Sequence, residues 1–408
     1  MNLPLLALRN VFRNGRRSAA TVAAIAVGLV AVNLFGGYIA DVYRSLQIQA
    51  VAGERLGHLT VYKKGMLTLG KLKPQKYMFN ADESARLLQA VRALPGVKLV
   101  SPRLSVSGIA TNGRASTIFI GEGLVAEDQA TLRQGADQGS GGTLVVGRKN
   151  GVAVSSDLAS LLGYRKGDTL TVLSSTLTGQ ANALDAEIVD VFNTGNINTN
   201  DKFLVVPVGL ARALLDTAGT ERFVVLLQDI AQTEATRAAI TTRLGQAGFD
   251  VEVKTWRELS SFYTQVRSLF DMIFTFIASI VFVVAAMSIA NTMAMTVVER
   301  TREVGTLQAM GMQRGAVIGL FVSEALWIAS LGVVLGLAIT LLAAAAINHA
   351  GISYVPPNSS YSVPLLVDLQ RSAVLPVALA VVLLALLAAA LPAWRAARRD
   401  IVDALAFN

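Results

Sequence analysis

The 408-residue chain has no cysteine and only two histidines, His58 and His349, far apart in the sequence. Disulfide frameworks and thiolate metal sites are therefore excluded, and a multi-histidine metal centre lacks ligands. Charge is scarce too, at 16% of residues against 53% hydrophobic ones, with a mean hydropathy of +0.51. A soluble domain carries about 25% charged residues, so this composition points to a membrane protein. The net charge of +8 does not signal nucleic acid, because Arg9, Arg13, Arg16 and Arg17 precede the first apolar run and Arg395, Arg398 and Arg399 follow the last. Basic residues at the ends of apolar segments instead set orientation in a bilayer.

Complete catalytic motifs are also missing. The stretch GMLTLGKL, Gly65 to Leu72, follows a phosphate-binding loop until its last position, where Leu72 replaces the Ser or Thr that ligates Mg²⁺. No G-x-S-x-G elbow or H-E-x-x-H pair occurs. Ionisable residues are nearly absent from the apolar runs, with Glu324 and Asp271 toward run ends and Asn33, Ser288 and Asn291 uncharged. A proton- or ion-coupled transporter needs such groups along its path, so secondary transport is disfavoured.

Four apolar runs are long enough to cross a hydrocarbon core, at residues 18–40, 269–298, 316–347 and 373–394. The first is too long in its apolar part for a signal peptide and lacks a small-x-small cleavage site, so it is expected to be retained. Residues 1–17 before it place Leu5, Leu8 and Phe12 on one stripe beside Arg9, Arg13 and Arg16, which suits a cytoplasmic amphipathic helix whose arginines reach lipid phosphates. The charge bias puts both termini, including the tail 395–408, and the loop 299–315 on the cytoplasmic side.

These runs define a membrane α-helical fold of four transmembrane helices with a large α+β extracytoplasmic domain, residues 41–268, inserted between helices one and two. A shorter outer loop spans 348–372. Two helix-and-strand units, around residues 81–121 and 221–256, predict paired βαβ-type halves of one lobe. The material between them, with boundaries near 121 and 207, predicts a second, mostly β lobe. DQGSGGT and NTGNINTN have turn chemistry and are expected to be exposed loops. A basic loop carrying Lys71 and Lys73 and ending in Tyr77, Met78 and Phe79 is a candidate surface for a substrate or partner, its aromatic tip touching something apolar. In the third run, Gly332 and Gly336 have the small-xxx-small spacing that lets helices approach closely.

The segment MTVVERTREVGTLQAMGMQRG, Met295 to Gly315, is crowded with charge where the second run ends. If that helix continues past Val298, Val297, Val304 and Leu307 share one side and Glu299, Arg302, Glu303 and Thr306 another. Gly305 and Gly311 permit close approach and a turn. An amphipathic cytoplasmic helix joined to a spanning helix can receive a push from a bound protein. A charged turn between two helices is the plainer alternative.

This segment, VVERTREVGTLQAMGMQRGAVIGLFVSEAL, closely resembles the coupling region of FtsX-like (MacB-type) permeases of ABC transporters. LALRNVFRNGRRS is similar to that family's amino-terminal helix, VEVKTWRELSSFY to part of its outer domain, and GISYVPPNSSYSVP to the loop before helix four. PAWRAARRDIVDAL resembles its ending, with Ile401 where a proline is common. The resemblance implies a bacterial inner-membrane permease that binds a separate ABC ATPase, where ATP and Mg²⁺ sit, and pairs with a second permease copy in a homodimer or heterodimer. It implies that Glu299, Arg300, Arg302, Glu303, Gly305, Leu307 and Gly311 contact or shape the ATPase interface, and that this chain has no catalytic residue or cofactor of its own. Members release lipoproteins, drive export with a periplasmic adaptor, or signal mechanically to cell-wall hydrolases. Extraction or export of a hydrophobic or lipidated substrate is the expectation, with mechanical signalling, and a membrane-anchored sensor without an ATPase, as alternatives.

Overall fold

The computed structural model describes residues 3–13, 15–70, 72–132, 142–356, 359–399 and 404. The chain divides into a membrane unit, Met1–Tyr43, Val266–Ser353 and Pro364–Asn408, and an α/β unit, Arg44–Gln265 and Tyr354–Val363.

In the membrane unit an amino-terminal helix, Leu3–Arg13, precedes four helices long and apolar enough to cross a membrane: Gly15–Ile48, Ser261–Glu299, Arg314–His349 and Arg371–Ala397. The first two overrun the bilayer length expected from hydropathy, running on as helix into the α/β unit's part of the chain. Aromatic side chains join them: Phe35 stacks on Phe274 with centroids 6.4 Å apart, and Tyr38 meets Phe270 edge-on at 6.1 Å. Gly332 and Gly336 lie against the first helix, where an added Cβ would come within 2.7 Å of Ile25 and 3.1 Å of Ala26. This is the close approach their spacing permits, and it lets van der Waals packing hold helices that no hydrophobic effect drives together in lipid.

The α/β unit is built on β1 Leu59–Lys63, β2 Val97–Thr111, β3 Ser116–Leu124, β4 Gly151–Ser155, β5 Thr169–Ser175, β6 Ala181–Phe192, β7 Phe203–Pro207, β8 Arg222–Leu227 and β9 Val251–Thr255. Its first lobe is an antiparallel sheet in the order β2-β8-β1-β9, with helices Ala81–Arg92 and Thr233–Gln246 packed on it. The chain order β-α-β-β-α-β makes this the split βαβ arrangement, which agrees with the paired halves read from the sequence. Asn80 and Glu83 close a capping box at the first of these helices, which starts it where the apolar stripe Leu87–Val91 begins to bury.

The second lobe is a closed ring, β2-β3-β7-β4-β6-β5 and back to β2, which leaves no open sheet edge. Strand β2 serves both lobes: residues up to Arg103 pair with β8, and Leu104 onward pair with β3 and β5. The seam therefore falls at 103/104 and not near 121, because β3 closes the barrel. At the other end, Leu210, Ala211, Leu214 and Leu215 of helix Val208–Leu215 fill the barrel core, so the lobe continues past 207.

Residues 354–356 and 359–363 depart from the expected simple loop. Ser360 Oγ donates to Asn193 Oδ1, Ser360 N–H donates to the Gly195 carbonyl, and Ser359 bridges to Asn196. These bonds tie the segment to the turn NTGNINTN, which the sequence reads as an exposed loop. Most of DQGSGGT lies outside the described residues.

Candidate functional site

The helix ending at Glu299 does not continue. Arg300 leaves helical geometry (φ −108°, ψ 14°), and a separate short helix runs Thr301–Ala309. Its end is set by Gly311, whose φ of +97° is open to glycine and costly for other residues. The third spanning helix begins three residues later, at Arg314. The elbow is thus a short helix with defined ends, shorter than the 299–315 segment read from charge alone.

Burial sorts its residues. Val304 is buried in a cluster with Val297, Val317, Phe321, Ala393 and Ala396, so the ends of three spanning helices meet on it. Thr301 and Gly305 are buried beside it and Leu307 is half-buried, while Arg302, Thr306, Met310 and Gly311 are exposed. The amphipathic pattern therefore holds about a bend, with one departure: Arg300 is buried, 5% exposed. A guanidinium in an apolar setting must be paired, and it is. Its Nη1 donates to Glu324 Oε1, its Nε donates to Glu303 Oε2 at 2.8 Å, and its guanidinium carbon lies 5.8 Å from the Phe321 ring centroid. Arg300 can shape the surface the elbow offers, but it does not form part of it.

The amino-terminal helix reaches the same cluster. Asn10 Nδ2 donates to Glu324 Oε1 at 2.6 Å, Arg13 pairs with Glu303, and Arg17 Nη1 donates to Glu299 Oε1 at 2.9 Å. Of the four arginines that precede the first apolar run, Arg13 and Arg17 thus engage elbow carboxylates, while Arg9 and Arg16 are exposed. Burial pushes the Glu303 carboxyl up, but its bonds to Arg300 and Arg13 outweigh this and hold it below the usual carboxylate range. From the carboxyl-terminal side, Arg399 donates to Thr301 Oγ1 at 3.3 Å and Gln308 to the Ala397 carbonyl at 3.2 Å.

Glu324 is the member of this cluster that sequence reasoning passed over as a run-end residue. It is 2% exposed and shares the face of Val317, Phe321 and Ile328. The signal was available: spacings of four, three and four put it on the buried stripe, where a carboxylate demands a partner.

The basic loop is corrected by the structure. Met78 packs into the barrel core and Phe79 into the first lobe, where its ring meets Phe223 at 5.4 Å. Neither can touch an external surface, and they link the two lobe cores. Lys73 is exposed, Tyr77 is half-buried under Lys76, and Lys71 lies outside the described residues. Among the described residues no group of His, Asp and Glu is placed to hold a metal ion.

Four apolar helices, a charged elbow between the second and third, and an α/β insert between the first and second define a permease-type membrane protein. The FtsX-like permease C-terminal family model matches residues 275–401, and the MacB-like periplasmic core domain model matches residues 18–243, more than half of the chain. The chain belongs to the MacB-type family of FtsX-like ABC transporter permeases.

Among its relatives, the pyoverdine export ATP-binding/permease protein PvdT of Pseudomonas putida is 28% identical over 210 residues, 50% of this chain and 30% of that protein. The macrolide export ATP-binding/permease protein MacB of Nitrobacter winogradskyi is 28% identical over 209 residues, again 50% of this chain and 30% of that one. The chain spans about a third or less of the length of these relatives. The crystal structure of the periplasmic region of MacB from Actinobacillus actinomycetemcomitans matches 53% of this chain and 94% of its own, with 12% identity and a TM-score of 0.38.

Proposed function

We propose that the chain is the permease subunit that couples ATP hydrolysis on a separate ATPase subunit to movement of its periplasmic α/β domain, for extraction or export of a hydrophobic or lipidated substrate. The observation that carries this reading is the elbow: a helix, Thr301–Ala309, with Arg302 and Thr306 outward, Met310 exposed at its end and Val304 seated among three spanning helices. A partner gripping the outward face would push on the whole bundle. The first two spanning helices are continuous well beyond bilayer length, so displacement at the elbow can leave the membrane without a solute pore. Relatives named for pyoverdine and macrolide export support the export side of this reading.

In this reading the elbow and both termini face the cytoplasm of a bacterial inner membrane, the chain pairs with a second permease copy, and a periplasmic adaptor or lipoprotein meets the α/β domain. Detergent extraction of a tagged chain should bring down a Walker-motif ATPase whose hydrolysis responds to lipid or lipopeptide. A chain that is fully active without any nucleotide-hydrolysing companion, or an elbow labelled from the same side as the α/β domain, overturns it.

A further inference from the structure

Glu324 lies ten residues beyond Arg314, the first residue of the third spanning helix, buried among apolar neighbours. One of its oxygens, Oε1, accepts from two separate elements: Arg300 at the head of the elbow and Asn10 of the amino-terminal helix. Arg300 extends the chain of contacts to Glu303, and Glu303 to Arg13. A buried ion pair adds little net stability over well-packed apolar residues of the same volume. What a directional, charge-assisted pair adds over an apolar contact is one permitted geometry. Val304 already supplies apolar anchorage for the elbow, and apolar surfaces can slide.

We propose that Glu324 is a positioning residue for coupling: through Arg300 and Asn10 it locks the elbow, the third spanning helix and the amino-terminal helix into one body, so that a push on the elbow is passed on without slip. This role presupposes that the chain is an ATPase-coupled permease. Both side chains are buried, so neither is part of the outward face of Arg302, Thr306 and Met310.

The chain has no cysteine, so introduced pairs can be labelled directly. Spin labels at Ala309→Cys, exposed at the end of the elbow helix, and Leu342→Cys toward the far end of the third helix should lie roughly 40 Å apart, from the helical rise. Thr242→Cys, exposed on helix Thr233–Gln246, reports on the α/β unit through its maleimide labelling rate. In the parent chain with its co-purified ATPase, ATP should leave the 309–342 distance narrow and unchanged while altering labelling at 242.

The double variant Arg300→Met/Glu324→Met should keep the parent's thermal midpoint, and its readouts are normalised to the ATPase that co-purifies with it. Its 309–342 distribution should nevertheless broaden and shift with ATP, and the response at 242 should fall about tenfold. A double variant that matches the parent in both readouts shows the pair to be structural only and overturns the proposal. Should that variant not fold, Glu324→Gln, which keeps shape and loses charge, must show the same broadening, and parental behaviour from it is equally fatal. A parent that co-purifies no ATPase, or whose residue 242 ignores ATP, instead removes the coupling reading itself, and the positioning role with it.

Discussion

Arg103 sits at the seam of the two lobes, fully buried, with its Nε, Nη1 and Nη2 making no hydrogen bond among the described residues and Glu122 Oε1 3.7 Å from Nε. Burial pushes its guanidinium below the usual value. Glu122 does not depend on it, since Arg222 Nη2 donates to the same oxygen at 2.7 Å. Three unmet donors cost more than one long ion pair returns. Arg103→Met should therefore leave the full chain as stable or raise its stability by about 1–3 kcal/mol, read from chemical unfolding. A loss of stability on this scale would show that the seam needs the charge.

His58 makes a different demand. Its Nδ1 accepts the Leu227 N–H at 2.9 Å, which requires a neutral ring protonated at Nε2. Burial lowers its pKa from 6.5, with Lys98 adding to the shift and Asp229 opposing it. The folded ring then binds fewer protons than the unfolded one, so its contribution is present above pH 6.5 and is lost as pH falls below that value. Unfolding midpoints measured between about pH 5 and pH 8 should fall toward acid, and His58→Gln should flatten that slope.

At the scale of elements, the contact between the first and third spanning helices rests on two glycines. A Cβ at Gly332 would come within 2.7 Å of Ile25 Cγ2 and 2.8 Å of its Cβ, too close for any rotamer to relieve fully. Gly332→Val should cost about 1–3 kcal/mol of stability in detergent through overpacking. Gly319→Ala on the same helix meets nothing within 4 Å and should be close to neutral. Equal effects from both would place the cost in backbone conformation and not in this interface.

The elements were legible to different degrees for physical reasons. Crossing a bilayer requires an uninterrupted apolar run, so the four spans could be read locally, as could the elbow's charge and its closing Gly311. The split βαβ lobe showed because each half carries its own strand and helix periodicity. Closure of the barrel did not, because it depends on β2 changing partners at Leu104, a pairing made across distant sequence. Met78 and Phe79 misled for the same reason: a basic stretch precedes them, and only the placement of β8 and the barrel makes them core.

Across the whole molecule, the α/β unit is assembled from two stretches of chain, and the second, 354–363, is held by Asn193, Gly195 and Asn196. Ser359 and Asn196 face each other as antiparallel partners, a geometry within reach of a disulfide. In a chain otherwise free of cysteine, Asn196→Cys/Ser359→Cys should form an intramolecular bridge in cells if this unit lies in an oxidising compartment. A mobility difference between reduced and non-reduced gels reads it out. A pair that stays reduced in cells, yet closes on mild oxidation of the purified protein, would place the unit on the reducing side.

Because part of this unit arrives from beyond the third spanning helix, cutting residues 44–265 out of the chain yields an unfinished object. The excised piece would carry a bare patch around Asn193 to Asn196, its polar atoms returned to water and its neighbour left behind with the membrane helices. Ligands screened against such a fragment would meet a surface that the intact protein keeps covered.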